Sequence, residues 1–531
     1  MGPIIEINQG KLEGIQGDNE FIFRGIPYAK PPIGRLRFSD PLPPEPWVGI
    51  RDATKPCNIC SQLGMLATEK KVTGNEDCLY LNICTPELPS ASSSPRPVLV
   101  FIHGGGFIYG NGTDYEEINL HGSFIERGFV VVTLNYRLGV LGFLSLDLKE
   151  APGNMGLKDQ CLALKWVQNN ISRFGGNPND VTIYGISAGA ASVEYQVLSP
   201  MSRGLFHKAI AQSGSSISPW AHTNIVKKMS RKITALKGKK ISNDLEMLKF
   251  LREMPIEDLL KTVDKLVIDE ETPGGVFFGF CPCIEKPNGW QAFLEESQYE
   301  LLKRGDFAKV PYLTSFCTRE GMIVAKLGPQ NLQKLENNKN FGEFLKAYFP
   351  MDDVTAAKYD ERFKKVYLSL DRFSEPDEFA IEFFSDFDFF AGIYQAAKLM
   401  SKHNPRVYFY EFAYDGNLAM VKKALALEGY KGTCHGDDWG YIVKSTEQFK
   451  DIKSSKADII ASQRLLSFYT NFIKHGKPIT ALDDVITTHW EPVTASNMNY
   501  LLLNEDMKME NHPYPERMAL FEEIYEKYYG K

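Results

Sequence analysis

VTIYGISAGAAS (181–192) runs four strand-forming residues into Gly185-Ile186-Ser187-Ala188-Gly189 and then into a series of small residues. Two local structures fit. One is a tight turn that happens to contain a serine. The other is a nucleophile elbow, a sharply bent strand-to-helix turn that lifts one hydroxyl clear of a sheet. A lone Gly-x-Ser-x-Gly arises by chance in about one in five chains of this length, so its surroundings must decide.

Those surroundings read as alternating strands and helices. PVLVFIH (97–103), FVVVTLNY (129–136), VPYLTSF (310–316) and RVYFYEFAY (406–414) are short apolar runs rich in β-branched and aromatic residues. Such runs suit strands buried on both faces of a mainly parallel sheet. KDQCLALKWVQNNISRF (158–174) puts Leu162, Leu164, Val167 and Ile171 on one helical stripe, and DFDFFAGIYQAAKLMSKH (386–403) is similar. Residues 220–305 carry lysine- and glutamate-rich helical pattern with little strand signal, as expected of an insertion. The expected fold is α/β: a large, mainly parallel central sheet with helices on both faces and helical insertions, forming one domain over 1–531.

Composition narrows the class. Apolar residues make up 43% of the chain and aromatics 12%, enough for a large core. The net charge of −6 provides no basic footprint for nucleic acid or anionic membranes. No apolar run reaches the 18 or so residues of a transmembrane helix. MGPIIEINQGKLEG has neither a basic n-region nor an apolar h-region, so the expected compartment is the cytoplasm, with secretion the alternative if a signal has been removed. The nine cysteines are scattered, with one CxxC (Cys57, Cys60) and one CxC (Cys281, Cys283). No second CxxC accompanies them, so neither a metal nor any cofactor is expected.

Chemistry gathers at three places. His103-Gly104-Gly105-Gly106 follows a strand, where a glycine run lets backbone N–H groups turn toward an oxyanion. Read alone it is also an ordinary glycine-rich turn. With an elbow about eighty residues later, the N–H groups of Gly105, Gly106 and Ala188 become candidate oxyanion donors. A serine hydroxyl also needs a base to take its proton and an acid to orient the base. Glu320 follows the VPYLTSF strand, and His435 lies in a loop beyond RVYFYEFAY. The chain order Ser, acid, His, each after a strand, is that of α/β-hydrolases.

Longer stretches then carry a resemblance. GIPYAKPPIGRLRF (25–38), NEDCLYLNI (75–83), FIHGGGFIYG (101–110), NYRLGVLGFLS (135–145), GNMGLKDQ (153–160), FGGNPNDVTIYGISAG (174–189) and SRGLFHKAIAQSGS (202–215) resemble type-B carboxylesterases of the cholinesterase-like group. The likeness covers nearly the whole chain. GTCHGDDW (432–439) looks most like the insect alpha-esterases, the broad-specificity detoxifying branch. The resemblance implies a triad of Ser187, Glu320 and His435, pocket positions at Phe107, Ile186 and Phe278, and a disulfide between Cys60 and Cys78. That disulfide would indicate an oxidising compartment, and free thiols the cytosol.

Departures from the group refine the expectation. Cholinesterases carry a tryptophan between the two cysteines and an acid before the nucleophile. Here the Cys60–Cys78 stretch has no tryptophan and position 186 is isoleucine. Choline esters therefore fit poorly. Juvenile-hormone esterases usually have glutamine at that position, and adhesion proteins of the group lack part of the triad, which is complete here. The expected protein is a carboxylic ester hydrolase of broad specificity for uncharged esters, inhibited by organophosphates, a monomer or weak homodimer. The alternatives are a dedicated juvenile-hormone or pheromone esterase, or a slow scavenger of toxic esters.

Overall fold

The apolar runs become strands. In the computed structural model, which describes residues 2–64, 70–113, 120–269, 274–287, 289–369, 378–443 and 451–529, the strands that matter here are ten. They are β1 (Phe21–Pro27), β2 (Tyr80–Thr85), β3 (Arg96–Ile102), β4 (Val130–Leu134), β5 (Gly176–Ile186), β6 (Lys208–Gln212), β7 (Tyr312–Cys317), β8 (Val407–Phe412), β9 (Asn499–Leu503) and β10 (Met507–Asn511). Val98 to Ile102 and Val130 to Val132 have no exposed surface. Successive strand residues face opposite sides, so a run with no exposed residue means that both faces of the sheet are covered.

Contacts divide the chain into two compact units. The first holds Met1–Ile210, His222–Glu270 and Phe278–Glu296; the second holds Ala211–Ala221, Glu271–Phe277 and Ser297–Lys531. Within the first, the sheet order is β5-β3-β4-β2-β1. β3 runs parallel to both β4 and β5, while β2 is antiparallel to β4 and to β1. Within the second, the order is β10-β9-β8-β7, with β7, β8 and β9 parallel and β10 antiparallel at the edge. The sheet is thus mixed, with parallel strands inside and antiparallel ones toward the edges. A separate three-stranded sheet is formed by Ile4–Ile7, Gly10–Glu13 and Ile50–Asp52.

Two helices of the first unit matter here. α1 (Met155–Asn170) covers the expected stretch up to Asn170, the last four residues, Ile171–Phe174, forming a 3-10 turn, and its polar side is buried too. Asp159 receives a bidentate pair of hydrogen bonds from Arg137 at 2.7 and 2.8 Å, and Lys158 reaches Asp40 and Glu285, each at 2.8 Å. Charges out of water persist only when paired in this way. α2 (Ala188–Leu198) is buried throughout. In the second unit the stretch read as one helix opens with a π-helical turn, Ser385–Phe390, and continues as α3 (Ala391–Ser401). No helix among the described residues is long and apolar enough to cross a membrane.

Candidate active site

Ser187 is the single residue between the end of β5 and the start of α2. Its backbone is at φ 59° and ψ −123°, a conformation that non-glycine residues rarely hold. The flanking glycines make the bend possible. A β-carbon on Gly185 would lie 2.2 Å from the Gly189 carbonyl oxygen, and one on Gly189 would lie 2.1 Å from the Ile102 oxygen. The chain therefore bends where the sequence needs it to, and α2 starts directly after the hydroxyl. The first N–H groups of a helix have no partner inside it, which leaves the Ala188 N–H available to an anion.

The glycine run after β3 packs against this elbow. A β-carbon on Gly104 would lie 2.7 Å from Ile186 O and 3.1 Å from Ser187 Cβ, so only glycine lets the two segments approach. Gly105 and Gly106 follow with φ +101° and +60°. Phe278 covers Gly106, its ring carbons 2.7–2.8 Å from where a β-carbon would stand. Phe107 is buried with φ 62° and meets Phe143 edge-on, centroids 5.3 Å apart. The first unit thus brings together Ser187, Ile186, Ala188, Gly104, Gly105, Gly106 and Phe278.

The second unit brings together Glu320 and His435. Glu320 begins the short helical turn after β7 and is fully buried. Its Oε2 lies 2.5 Å from His435 Nδ1. Its Oε1 accepts from the Ser213 hydroxyl and from the Cys317 N–H, both at 2.6 Å. A carboxylate only accepts, so Nδ1 of the neutral imidazole carries the proton and Nε2 keeps its lone pair. The loops that carry the pair are tied to each other. Thr318 N–H donates to Thr433 Oγ1 at 2.9 Å, and Arg319 N–H donates to Thr433 O at 3.0 Å. Arg319 is itself held by Glu382 at 3.1 Å and Glu378 at 3.4 Å.

Two more carboxyls lie behind the histidine. Asp437 accepts from the N–H groups of Cys434 at 2.7 Å and Lys422 at 2.9 Å, and burial lifts its carboxyl to about 7. Asp438 accepts from the Tyr410 hydroxyl at 3.1 Å, and burial lifts it to about 6 with a further push from Glu320. Cys60 and Cys78, in the first unit, are joined by a disulfide.

The carboxylesterase family model matches residues 1–521. The chain belongs to the carboxylesterase family. Esterase FE4 of Myzus persicae is 35% identical to this carboxylesterase over 510 residues, spanning 93% of this chain and 87% of its own. Juvenile hormone esterase of Tribolium castaneum is 36% identical over 486 residues, spanning 86% of this chain and 80% of its own. The crystal structure of juvenile hormone esterase from Manduca sexta, with OTFP covalently attached, matches with a TM-score of 0.83 at 28% identity. That match covers 99% of this carboxylesterase and all of the other chain.

Sequence reasoning gave no role to three residues beside the candidate site, although Ser213 and Asp438 lie in stretches that carry the family resemblance. Ser213, at φ 56°, grips the Glu320 carboxylate from 107 residues away. Phe389 packs on the His435 imidazole with centroids 4.6 Å apart. It read as part of a helical stripe, and the π turn gives that stretch its own register. Asp438 sits three residues past His435 and next to Asp437, and sequence position alone gives neither acid a partner. Its burial in this carboxylesterase is tertiary information.

Proposed function

We propose that Ser187, His435 and Glu320 of this carboxylesterase act as a nucleophile, base and orienting acid on uncharged carboxylic esters. The observation that carries this most is the backbone of Ser187, a strained conformation between two obligatory glycines at the strand-to-helix junction. The Glu320–His435 bond supports the base assignment, because it leaves Nε2 as the basic nitrogen. Ser187 lies in the first unit, and Glu320 and His435 lie in the second.

In this mechanism His435 Nε2 takes the Ser187 Oγ proton as Oγ bonds to the ester carbonyl carbon. The carbonyl π electrons move onto oxygen, and the N–H groups of Gly105, Gly106 and Ala188 hold that oxyanion. Collapse breaks the bond to the alcohol oxygen, which leaves with the proton from His435. Water, deprotonated by His435, then attacks the acyl-enzyme, and Ser187 departs with its proton restored. An organophosphate presents phosphorus to the same oxygen and leaves a stable phosphoryl-serine.

Substrate charge follows from what surrounds the serine. Ile186 offers no carboxylate, and no tryptophan lies between Cys60 and Cys78. A quaternary ammonium would lose hydration without that tryptophan, the best partner for a cation–π contact, which is worth about 2 kcal/mol when desolvated. An uncharged ester gains roughly 0.8 kcal/mol for each buried methylene. The proposed role is broad hydrolysis of neutral esters, including toxic ones. The disulfide favours an oxidising compartment over the cytosol for this role. A second reading, a dedicated hormone esterase, draws on the two juvenile hormone esterases that this chain is similar to.

Steady-state kinetics across a series of acyl lengths separate these readings. Broad specificity predicts multiple turnovers on several neutral esters, with a butyrate ester of an uncharged alcohol exceeding butyrylcholine in kcat/KM by at least about tenfold. One strongly preferred long substrate would favour the dedicated enzyme. A single stoichiometric burst without turnover would mark a scavenger, and equal kcat/KM for the two butyrates would refute the charge preference.

A further inference from the structure

We propose that His103 is a positioning residue for the oxyanion hole, its imidazole holding the Gly104–Gly105 peptide so that the Gly105 N–H is aimed at the reacting oxygen. This rests on the oxyanion role proposed above for Gly105 and Gly106.

A trans peptide is planar, with its C=O and N–H pointing in opposite directions. Whatever grips the carbonyl therefore aims the N–H. Glycines on both sides of a peptide remove the steric limits that normally keep its plane from turning. The next peptide along is gripped by backbone. Gly105 O accepts from the N–H groups of Ile108 and Tyr109, both at 3.0 Å, which fixes the Gly106 N–H. The Gly104–Gly105 peptide is gripped by a side chain instead, with His103 Nδ1 lying 2.8 Å from Gly104 O. A carbonyl oxygen only accepts, so Nδ1 carries the proton.

The ring is held for this contact. It stacks on Tyr136 with centroids 4.3 Å apart and planes 19° from parallel, and the Tyr136 hydroxyl donates to His103 O at 3.0 Å. On another side the Gly110 backbone comes so close that a β-carbon there would lie 2.6 Å from Nδ1. Gln62 clamps Gly110 in turn, accepting from its N–H at 2.9 Å and donating to its carbonyl at 3.0 Å. Burial lowers the imidazole to about 4, so the ring is neutral at physiological pH and keeps one proton. His103 Nε2 is buried and makes no hydrogen bond among the described residues, which leaves Nδ1 as the working nitrogen. A ring kept only for its volume and stacking would serve equally well as phenylalanine.

That contrast supplies the test. His103→Phe keeps a ring against Tyr136 and loses the donor, whereas His103→Asn loses the ring and keeps an amide donor near the Nδ1 position. Each variant is assayed for kcat and KM on p-nitrophenyl butyrate, with melting temperatures to confirm folding. Since complete loss of one oxyanion donor costs about 10²–10³ in kcat, a freed peptide predicts a fall of about 10–100-fold in His103→Phe with KM within about twofold. His103→Asn should recover about tenfold of that loss. A crystal structure of His103→Phe should show the Gly104–Gly105 peptide turned. Unchanged kcat in folded His103→Phe, or equal losses in both variants, overturns the proposal. If the phenylalanine variant does not fold, His103→Leu takes its place with the same expectation. Ser187→Ala is run alongside. If it still turns over ester, the triad reading fails by itself, and the peptide orientation in the His103 variant crystal alone decides whether the imidazole holds it.

Discussion

Ser187 stands in a backbone conformation that costs about 1–3 kcal/mol for a non-glycine residue, held in place by close approaches at Gly185, Gly189 and Gly104. Gly106 is under two constraints at once. Its φ of +60° suits glycine, and the Phe278 ring fills the space a side chain would need. Valine at this position must push Phe278 aside, turn the peptide, or both. Gly106→Val should lower kcat on a nitrophenyl ester by about 10²–10³, the loss typical of one oxyanion donor. Steady-state kinetics check this, and a variant with parental kcat and KM would place the hole elsewhere.

At the scale of elements, the loop after β8 carries both the base and buried acids that oppose folding at neutral pH. Burial is the main reason that the Asp438 carboxyl rises to about 6. The folded state then holds this proton more tightly than the unfolded chain, whose aspartate releases it near 4. Its stabilising effect is full below about pH 4 and is lost as pH rises through about 6. Asp438→Asn has no such loss and keeps an acceptor for Tyr410. The variant's Tm relative to the parent should therefore climb between about pH 4 and 6 and level off above. A Tm difference that stays flat or falls over that range contradicts the shift.

The interior strands β3, β4, β5, β7 and β8 were legible because burial on both faces leaves an unbroken apolar run. The edge strand β10, MKMEN, was not, because only its first residue is buried. α1 was legible to within four residues at each end, but not in its surroundings, since the partners of Lys158 and Asp159 are far away in sequence. The same contrast holds at the site. The elbow and the glycine run are local patterns with local causes. Ser213 and Asp438 lie in stretches that carry the family resemblance, but like Phe389 they act through contacts with residues far away in sequence, so the residues around them do not tell what each one touches.

At the scale of the whole molecule, two compact units each contribute part of the proposed machinery, the nucleophile and oxyanion donors from one and the acid and base from the other. The modest charge of −6 over 531 residues leaves substrate choice to the pocket and not to long-range steering. What makes this carboxylesterase an enzyme, on this account, is one covalent step at one oxygen. Mass spectrometry after treatment with diethyl p-nitrophenyl phosphate tests that step directly. Ser187 Oγ displaces p-nitrophenolate, so the parent should gain a single diethylphosphoryl group mapped to Ser187, in proportion to its loss of ester turnover, and Ser187→Ala should gain none. Inactivation that leaves Ser187 unmodified, with the adduct on another residue, would contradict the account.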